Sequence, residues 1–243
     1  MKITWLGHNC WSIDTGPVNE KPYKIILDPF LNDSPTSPVK ADDVEADFVL
    51  VSHGHFDHLA DAVSIATRTG ATVVANFEVG EWLKGQGVAA DKVEQGNPGG
   101  SIPLSTAEAA PFGRLQFTPA VHSSGLPDGS YGGVACGFVL ALGNLEGALK
   151  KVYFACDTAL FGDMRLIGAA GLDLAVLPIG DRFTMGVCES IEAVKLLAPK
   201  QVAPCHYNTW PPIEQDADAW AAAIREHTAA EPLTPAPGES IEL

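Results

Sequence analysis

His53-Gly54-His55-Phe56-Asp57-His58 is the stretch around which the rest of the chain arranges itself. It follows Phe48-Val49-Leu50-Val51, a continuous apolar run of the kind expected for a strand covered on both faces. Beyond it Leu59, Ala62, Val63, Ile65 and Ala66 recur at helical spacing, and Gly70 closes that helix. The motif therefore occupies a loop at the C-terminal end of a strand. Imidazoles and a carboxylate crowded into so short a span are costly to bury without a partner. A metal cation is the natural partner, since neutral His is the commonest nitrogen ligand and Asp a good oxygen ligand. Gly54 is expected to bend the loop so that His53 and His55 converge. A solvated polar loop is the plainer alternative; residue type, spacing and strand-to-helix context together speak against it.

Later strand ends repeat the theme. The run Leu115–Val121 leads to His122, Val152–Ala155 to Asp157, and Val202–Cys205 to His206. A lone strand-end His is more often a hydrogen-bonded structural residue. Several such residues at equivalent positions point to one site at the strand ends, where α/β proteins bind ligands. Toward the N-terminus, Lys2–Leu6, Cys10–Ile13 and Tyr23–Leu27 read as short strands, with Gly16-Pro17 in the turn between the last two. Asn32–Pro38 reads as a surface loop. Val73-Val74 suits a strand, and Val79, Trp82 and Leu83 suit a helix ending at Gly85. Gly96–Gly113 mixes turns with short strands. Cys136–Leu142 and Leu174–Leu177 are further strands, and Ala159–Ala169 and Ser190–Leu197 further helices. Asp216–His227 is an Ala-rich helix with Trp220 and Ile224 on one face, and Glu239–Leu243 an edge strand. Each half thus opens with antiparallel strands and goes on to strand-helix alternation, which predicts an α/β sandwich of two sheets with helices outside. No linker shows a composition shift, so residues 1–243 read as one domain.

Hydrophobic residues make up 46% and charged residues 19%, ordinary values for a globular α/β protein. The net charge of -15 repels phosphate backbones, so no nucleic-acid partner is expected. No apolar run reaches the roughly 20 residues needed to span a bilayer. Met1-Lys2-Ile3-Thr4-Trp5 lacks the apolar segment of a signal peptide, which predicts a cytoplasmic protein. Cys10, Cys136, Cys156, Cys188 and Cys205 are scattered, as free thiols in a reducing compartment would be. No G-x-S-x-G elbow appears, and Cys205 adjoins His206 in a strand, so their side chains should diverge rather than form a dyad.

The H-x-H-x-D-H core with a distant His, Asp and last His resembles the metallo-β-lactamase fold over almost the whole chain. The likeness is nearest to small bacterial and archaeal metal-dependent hydrolases similar to the L-ascorbate-6-phosphate lactonase branch. Trp5-Leu6-Gly7-His8, Leu27-Asp28-Pro29-Phe30, Pro119–Ser124, Pro178-Ile179-Gly180, Phe183–Gly186 and His206–Thr209 carry it alongside the motif. The resemblance implies a four-layer αβ/βα sandwich, two mixed sheets with helices outside. It implies two metal sites, the first held by His53, His55 and His122, the second by Asp57, His58 and His206, with Asp157 bridging. Asp57 and Asp157 are then the catalytic carboxylates. One departure stands out: Cys156-Asp157-Thr158 replaces the usual Gly-Asp-Thr, and Cys156 is expected to point away from the metals.

Two divalent ions about 3.5–4 Å apart can share a water and lower its pKa toward about 7, giving a hydroxide nucleophile. His and Asp ligands without thiolate suit zinc or manganese. His8 and Asp28 are candidates for orienting ligands, against a surface His and a turn-capping Asp. Ser124 is a candidate substrate contact and Asn208 a candidate oxyanion donor, against a turn-forming Asn. Phe183 and Met185 read as pocket wall or core. The expected function is hydrolysis of an ester, lactone or phosphodiester bond in a small-molecule substrate, by a protein open to homo-oligomerisation. The alternative is a non-catalytic metal-binding or ligand-sensing protein on the same fold. The acidic balance disfavours RNA-processing nucleases. The chain's end soon after its last helix disfavours a glyoxalase II thioesterase. A flavodiiron reductase is disfavoured because His55 stands where that branch usually has Glu.

Overall fold

Two seven-stranded sheets carry the computed structural model, which describes residues 1–18, 21–106, 111–143 and 149–243. The first sheet takes β1 (Lys2–Trp5), β2 (Trp11–Val18), β3 (Lys21–Leu27), β4 (Phe48–Val51), β5 (Thr72–Asn76) and β6 (Val93–Gly96). The second takes β7 (Ser101–Leu104), β8 (Gly113–Pro119), β9 (Cys136–Leu142), β10 (Lys150–Phe154), β11 (Leu174–Pro178), β12 (Gln201–Cys205) and β13 (Glu231–Pro232). β14 (Ser240–Glu242) returns to the first sheet as an edge beside β1. The spatial orders are β14-β1-β2-β3-β4-β5-β6 and β13-β12-β11-β10-β9-β8-β7. Both sheets are mixed. β14 through β3 pair antiparallel and β3 through β6 parallel. The second sheet matches, antiparallel from β7 to β10 and parallel from β10 to β13.

Alternation along β4 shows what the layers bury. Phe48 and Leu50 join the core between the sheets, while Val49 and Val51 join a second core. That second core lies beneath α1 (Phe56–Leu59), α2 (Ala62–Thr69) and α3 (Phe77–Gly85). Burying each such side chain contributes about 1.5–3 kcal/mol, so a strand apolar on both sides is stable only where both faces are covered. α4 (Met164–Gly168), α5 (Val187–Leu197) and α6 (Ala217–His227) cover the outer face of the second sheet. Asp216 caps α6 by accepting from the Asp218 and Ala219 amides, and buried Trp220 donates from Nε1 to Ser190 Oγ on α5 at 3.0 Å. The result is the expected four-layer sandwich. No helix among the described residues is long and apolar enough to cross a membrane.

Three local expectations fail. Gly16-Pro17 is not a turn: β2 continues to Val18, and the register slips between Asp14 and Pro17. Gly16, at φ +67°, donates its amide to Asp14 Oδ1, so the Gly-Pro signal marks a β-bulge. The helix expected over Ala159–Ala169 shrinks to Met164–Gly168. Residues before it are held elsewhere, because the Ala159 amide bonds Val121 O and Thr158 Oγ1 bonds Ala159 O. Leu59 closes the short α1 rather than opening the following helix, which starts at Ala62. The part of the Gly96–Gly113 reading that falls on 107–110 lies outside the described residues.

Candidate metal centre

His8 follows β1, Asp28 follows β3, His53 follows β4, His122 follows β8, Asp157 follows β10 and His206 follows β12. Several of these corners use left-handed backbone: His8 (φ +49°), Asp28 (+45°), Cys156 (+53°) and His206 (+52°). That conformation costs an L-residue about 1–2 kcal/mol and persists where the surroundings over-determine it. Here it folds the chain back over the strand ends.

Two groups of ligand atoms gather there. His53 Nε2 and His122 Nε2 lie 3.0 and 3.3 Å from His55 Nδ1. Nitrogens tetrahedrally placed about 2.0–2.1 Å from a common ion stand about 3.3 Å apart, so the spacing fits a cation-sized centre. The second group joins His8, Asp57, His58 and His206, with one ligand atom of each within 4.8 Å of the others. Asp157 Oδ2 stands between the groups, 3.4 Å from His122 Nε2, 3.4 Å from His58 Nε2 and 3.0 Å from His206 Nε2. Asp157 Oδ1, His58 Nε2 and His206 Nδ1 are buried without hydrogen-bond partners. Unpartnered polar atoms are rare in folded proteins, and a cation between Asp157 and His58 would supply the partner that Asp157 Oδ1 and His58 Nε2 lack; His206 Nδ1 lies on the far side of its ring.

The surroundings set which nitrogen faces the centre. Ser52 Oγ donates to Asp28 Oδ2 at 2.6 Å and so accepts from His53 Nδ1 at 2.9 Å, leaving the His53 Nε2 lone pair inward. His58 Nδ1 donates to Asp28 Oδ2 at 2.8 Å, which likewise turns Nε2 inward. Asp28 also accepts from Asn9 Nδ2 at Oδ2 and from the Ser52 amide at Oδ1, so Oδ2 already holds three donors and the carboxylate orients ligands. His8 donates from Nε2 to Asp57 Oδ2 at 3.1 Å and accepts at Nδ1 from Thr209 Oγ1 at 2.7 Å. With both nitrogens occupied, His8 positions Asp57. It is fully buried, not a surface residue.

Burial and the neighbouring imidazoles keep most of these rings neutral. His8 falls to about 3 through burial and the facing His206, and His53 lies well below its ordinary value through burial and His58. His58 goes the other way. Burial opposes its charge, but Asp157, Asp28 and Asp57 outweigh burial and raise it well above the ordinary imidazole range. The carboxylates thus draw positive charge to the place where a cation would sit. Asp157, opposed by burial but faced by His206 and His58, is held well below the usual carboxylate range.

Comparison with known proteins agrees with this geometry. The beta-lactamase superfamily domain matches residues 13–207. The chain belongs to the metallo-β-lactamase superfamily. A UPF0173 metal-dependent hydrolase of Pelotomaculum thermopropionicum is 44% identical over 248 residues, covering 100% of both chains. A UPF0173 metal-dependent hydrolase of Thermus thermophilus is 42% identical over 228 residues, 93% of this chain and 92% of its own. The structure of Igni18, a metallo hydrolase from Ignicoccus hospitalis, superposes with a TM-score of 0.83 at 33% identity, covering 99% of this chain and 97% of that one.

Around this metallo-β-lactamase centre some sequence expectations change. Gly54 is not left-handed: a Cβ there would stand 3.1 Å from Leu126 Cδ2 and 3.2 Å from Gly125 O, so a side chain would press on the 124–132 loop. Ser124 is not free to touch a phosphate, since its buried hydroxyl accepts from the Gly54 amide at 3.0 Å and donates to Gly132 O at 2.8 Å. Ser123 takes the exposed place instead, with Oγ 3.3 Å from His55 Nε2. Asn208 is no oxyanion donor. Its backbone is left-handed (φ +57°), its Oδ1 accepts from the Gln215 amide, and it lies outside the pocket over the centre. Phe183 lines that pocket, of about 570 Å³, whereas Met185 is core. Cys156 stands at a corner glycine would occupy without strain, its Sγ toward Phe154 O and away from the imidazoles. Ser52, Asn9 and Thr209 escaped the sequence reading. Thr209 lies within a recognised segment and Ser52 and Asn9 each adjoin one, but the sequence assigns none of them a role.

Proposed function

We propose that this chain is a hydrolase that uses two divalent ions, zinc or manganese, to cleave an ester, lactone or phosphodiester bond of a small substrate. The observation that carries the proposal is the meeting of two ligand groups on the shared Asp157 carboxylate, with inward nitrogens set by outside hydrogen bonds. His53, His55 and His122 would hold one ion, Asp57, His58 and His206 the other, and Asp157 both. Bound there, the ions would lower the pKa of a shared water toward about 7 and polarise the electrophile.

The chain's own residues prepare the site. Asp28 fixes His58 and, through Ser52, His53; His8 fixes Asp57. Water and substrate enter through the pocket lined by His55, His122, Asp157 and His206. A thiol nucleophile is disfavoured: Cys205 is fully buried, and burial with the nearby Asp157 and Asp28 charges raises its thiol well above the ordinary range. Residues 1–243 act as one catalytic unit in this proposal, since the ligands come from the ends of both sheets.

Elemental analysis after saturation with zinc or manganese, paired with turnover of simple carboxylic esters and phosphodiesters, tests the proposal. About two ions per chain and chelator-sensitive turnover restored by metal are expected. A single ion at saturation would remove the dinuclear centre. Two tightly held ions with no turnover of either class would instead favour a metal-binding sensor.

A further inference from the structure

The walls of the pocket have a chemistry of their own. Two phenylalanines stand at its mouth largely in solvent, Phe56 at 55% and Phe183 at 56% exposure, although large exposed apolar side chains ordinarily need no explanation only when scattered singly. Trp210 lies 6.3 Å from Phe56, ring to ring, and is braced by Phe30 at 5.9 Å and His8 at 5.0 Å. Leu126 and Ile213, both buried, complete the lining with prolines. Beyond the proposed metal ligands, the side-chain polar groups that line it among the described residues are the Ser123 hydroxyl and the Trp210 indole. Among the described residues no lysine or arginine lines it. Arg182, next to Phe183, holds its guanidinium 5.6 Å from that ring and stays outside the lining.

Recognition of an anionic group away from the reacting centre needs arginine, lysine or clustered amide donors. The pocket offers no such cation, and the chain's net charge of -15 adds a repulsive field. It offers a continuous aromatic and aliphatic wall in a volume of about 570 Å³, the scale of small-molecule sites.

We infer that the substrate is an uncharged carboxylic ester or lactone whose acyl group is apolar, seated against Phe56, Trp210, Phe183, Leu126 and Ile213. This rests on the hydrolase reading above and narrows it, setting charged acyl groups aside and leaving the phosphodiester as the competing outcome of the test. In the reaction a water oxygen bonds to the acyl carbon and the bond from that carbon to the ester oxygen breaks. One water proton passes to the leaving oxygen, giving acid and alcohol, or the open hydroxy acid from a lactone.

The test uses metal-loaded protein and 4-nitrophenyl esters, which share one leaving group. From acetate through butyrate to hexanoate kcat/KM should climb by up to about fourfold per methylene, the worth of burying one CH₂. The succinate monoester, as long as butyrate but ending in a carboxylate, should fall at least tenfold below butyrate. Phe183→Ala should flatten the chain-length series, and Phe183→Arg should narrow the gap between succinate and butyrate. A second arm reads binding alone. The matching 4-nitroanilides, whose amide bond resists hydrolysis, should quench tryptophan fluorescence, and Trp210→Phe should remove most of that signal. Tighter binding of the hexanoyl than of the succinyl anilide supports the apolar pocket whether or not an ester turns over. Equal or reversed binding, a flat ester series, or hydrolysis confined to bis(4-nitrophenyl) phosphate overturns the inference while leaving the hydrolase reading standing. Failure of every ester and the phosphodiester with normal anilide binding sinks the hydrolase reading, and the ester assignment with it.

Discussion

At the scale of single residues the centre is a balance of charge. Asp28, Asp57 and Asp157 surround His58 and, against the burial that opposes its charge, favour the protonated ring in the metal-free chain. The sign of a pH effect follows. The surrounding carboxylates raise His58 well above its ordinary value, so an ion entering beside Nε2 competes with a proton there. Metal affinity should therefore rise with pH through the neutral range, and uptake should release protons. Calorimetry in buffers of different ionisation enthalpy reads this directly; uptake with no proton released would mean that the ion does not compete with a proton at His58. Asp28→Asn tests the support beneath. It weakens the partner of His58 Nδ1 while keeping shape, so metal affinity should fall about 10- to 100-fold with the fold intact. Asp157→Asn removes the charge shared by the two groups, and turnover should fall by about two orders of magnitude or more while circular dichroism is unchanged. Near-normal turnover in that variant would strip Asp157 of the bridging role.

At the scale of elements, loops must hold these residues at fixed distances, and Ser124 is the clearest brace. Its hydroxyl ties the Gly54 amide of the histidine loop to Gly132 O at the far end of the 124–132 loop. Ser124→Ala would leave the buried Gly54 amide unpaired, while Gly132 O keeps its bond from Asn76 Nδ2 at 2.7 Å, at a cost of about 1–3 kcal/mol. Urea unfolding should show that loss, and metal affinity should fall with it; an unchanged midpoint would mean the loops are held by other contacts. This brace also marks where sequence legibility stops. The histidine loop could be read because metal-binding residue types crowd into it after an apolar strand. His122, Asp157 and His206 could be read because each follows an apolar run. Ser124 and Asn208 invited functional roles because a hydroxyl or amide near a ligand has the same sequence signature whether it faces substrate or backbone. Their hydrogen bonds run to Gly132 and Gln215, choices made by tertiary packing. Gly16-Pro17 misled for a related reason, since a glycine with positive φ serves a bulge and a turn alike.

At the scale of the molecule the centre lies along one edge of the sandwich, at strand ends of both sheets. His53, His55, Asp57 and His58 follow β4 of the first sheet, whereas His122, Asp157 and His206 follow strands of the second. Backbone bonds already stitch that edge, from the Cys136 amide to Ser52 O at 3.1 Å and from the His206 amide to His8 O at 2.9 Å. Ions held by both sets would be a further cross-link present only in the folded chain, because unfolding scatters ligands drawn from distant strands. An ion that binds only the folded form stabilises it by about 4 kcal/mol at a free concentration a thousand times its Kd. For a chain of this length each kcal/mol moves Tm by about 2–4 °C, so chelation should lower Tm by about 8–16 °C for one such ion. His206→Ala should recover part of that shift by disabling the second group and leaving His53, His55 and His122 in place. Scanning calorimetry across a metal titration decides the matter. A midpoint indifferent to chelator and metal, in protein shown by elemental analysis to gain and lose its ions, would mean that the ions bind the unfolded chain as well as the folded one and add no cross-link.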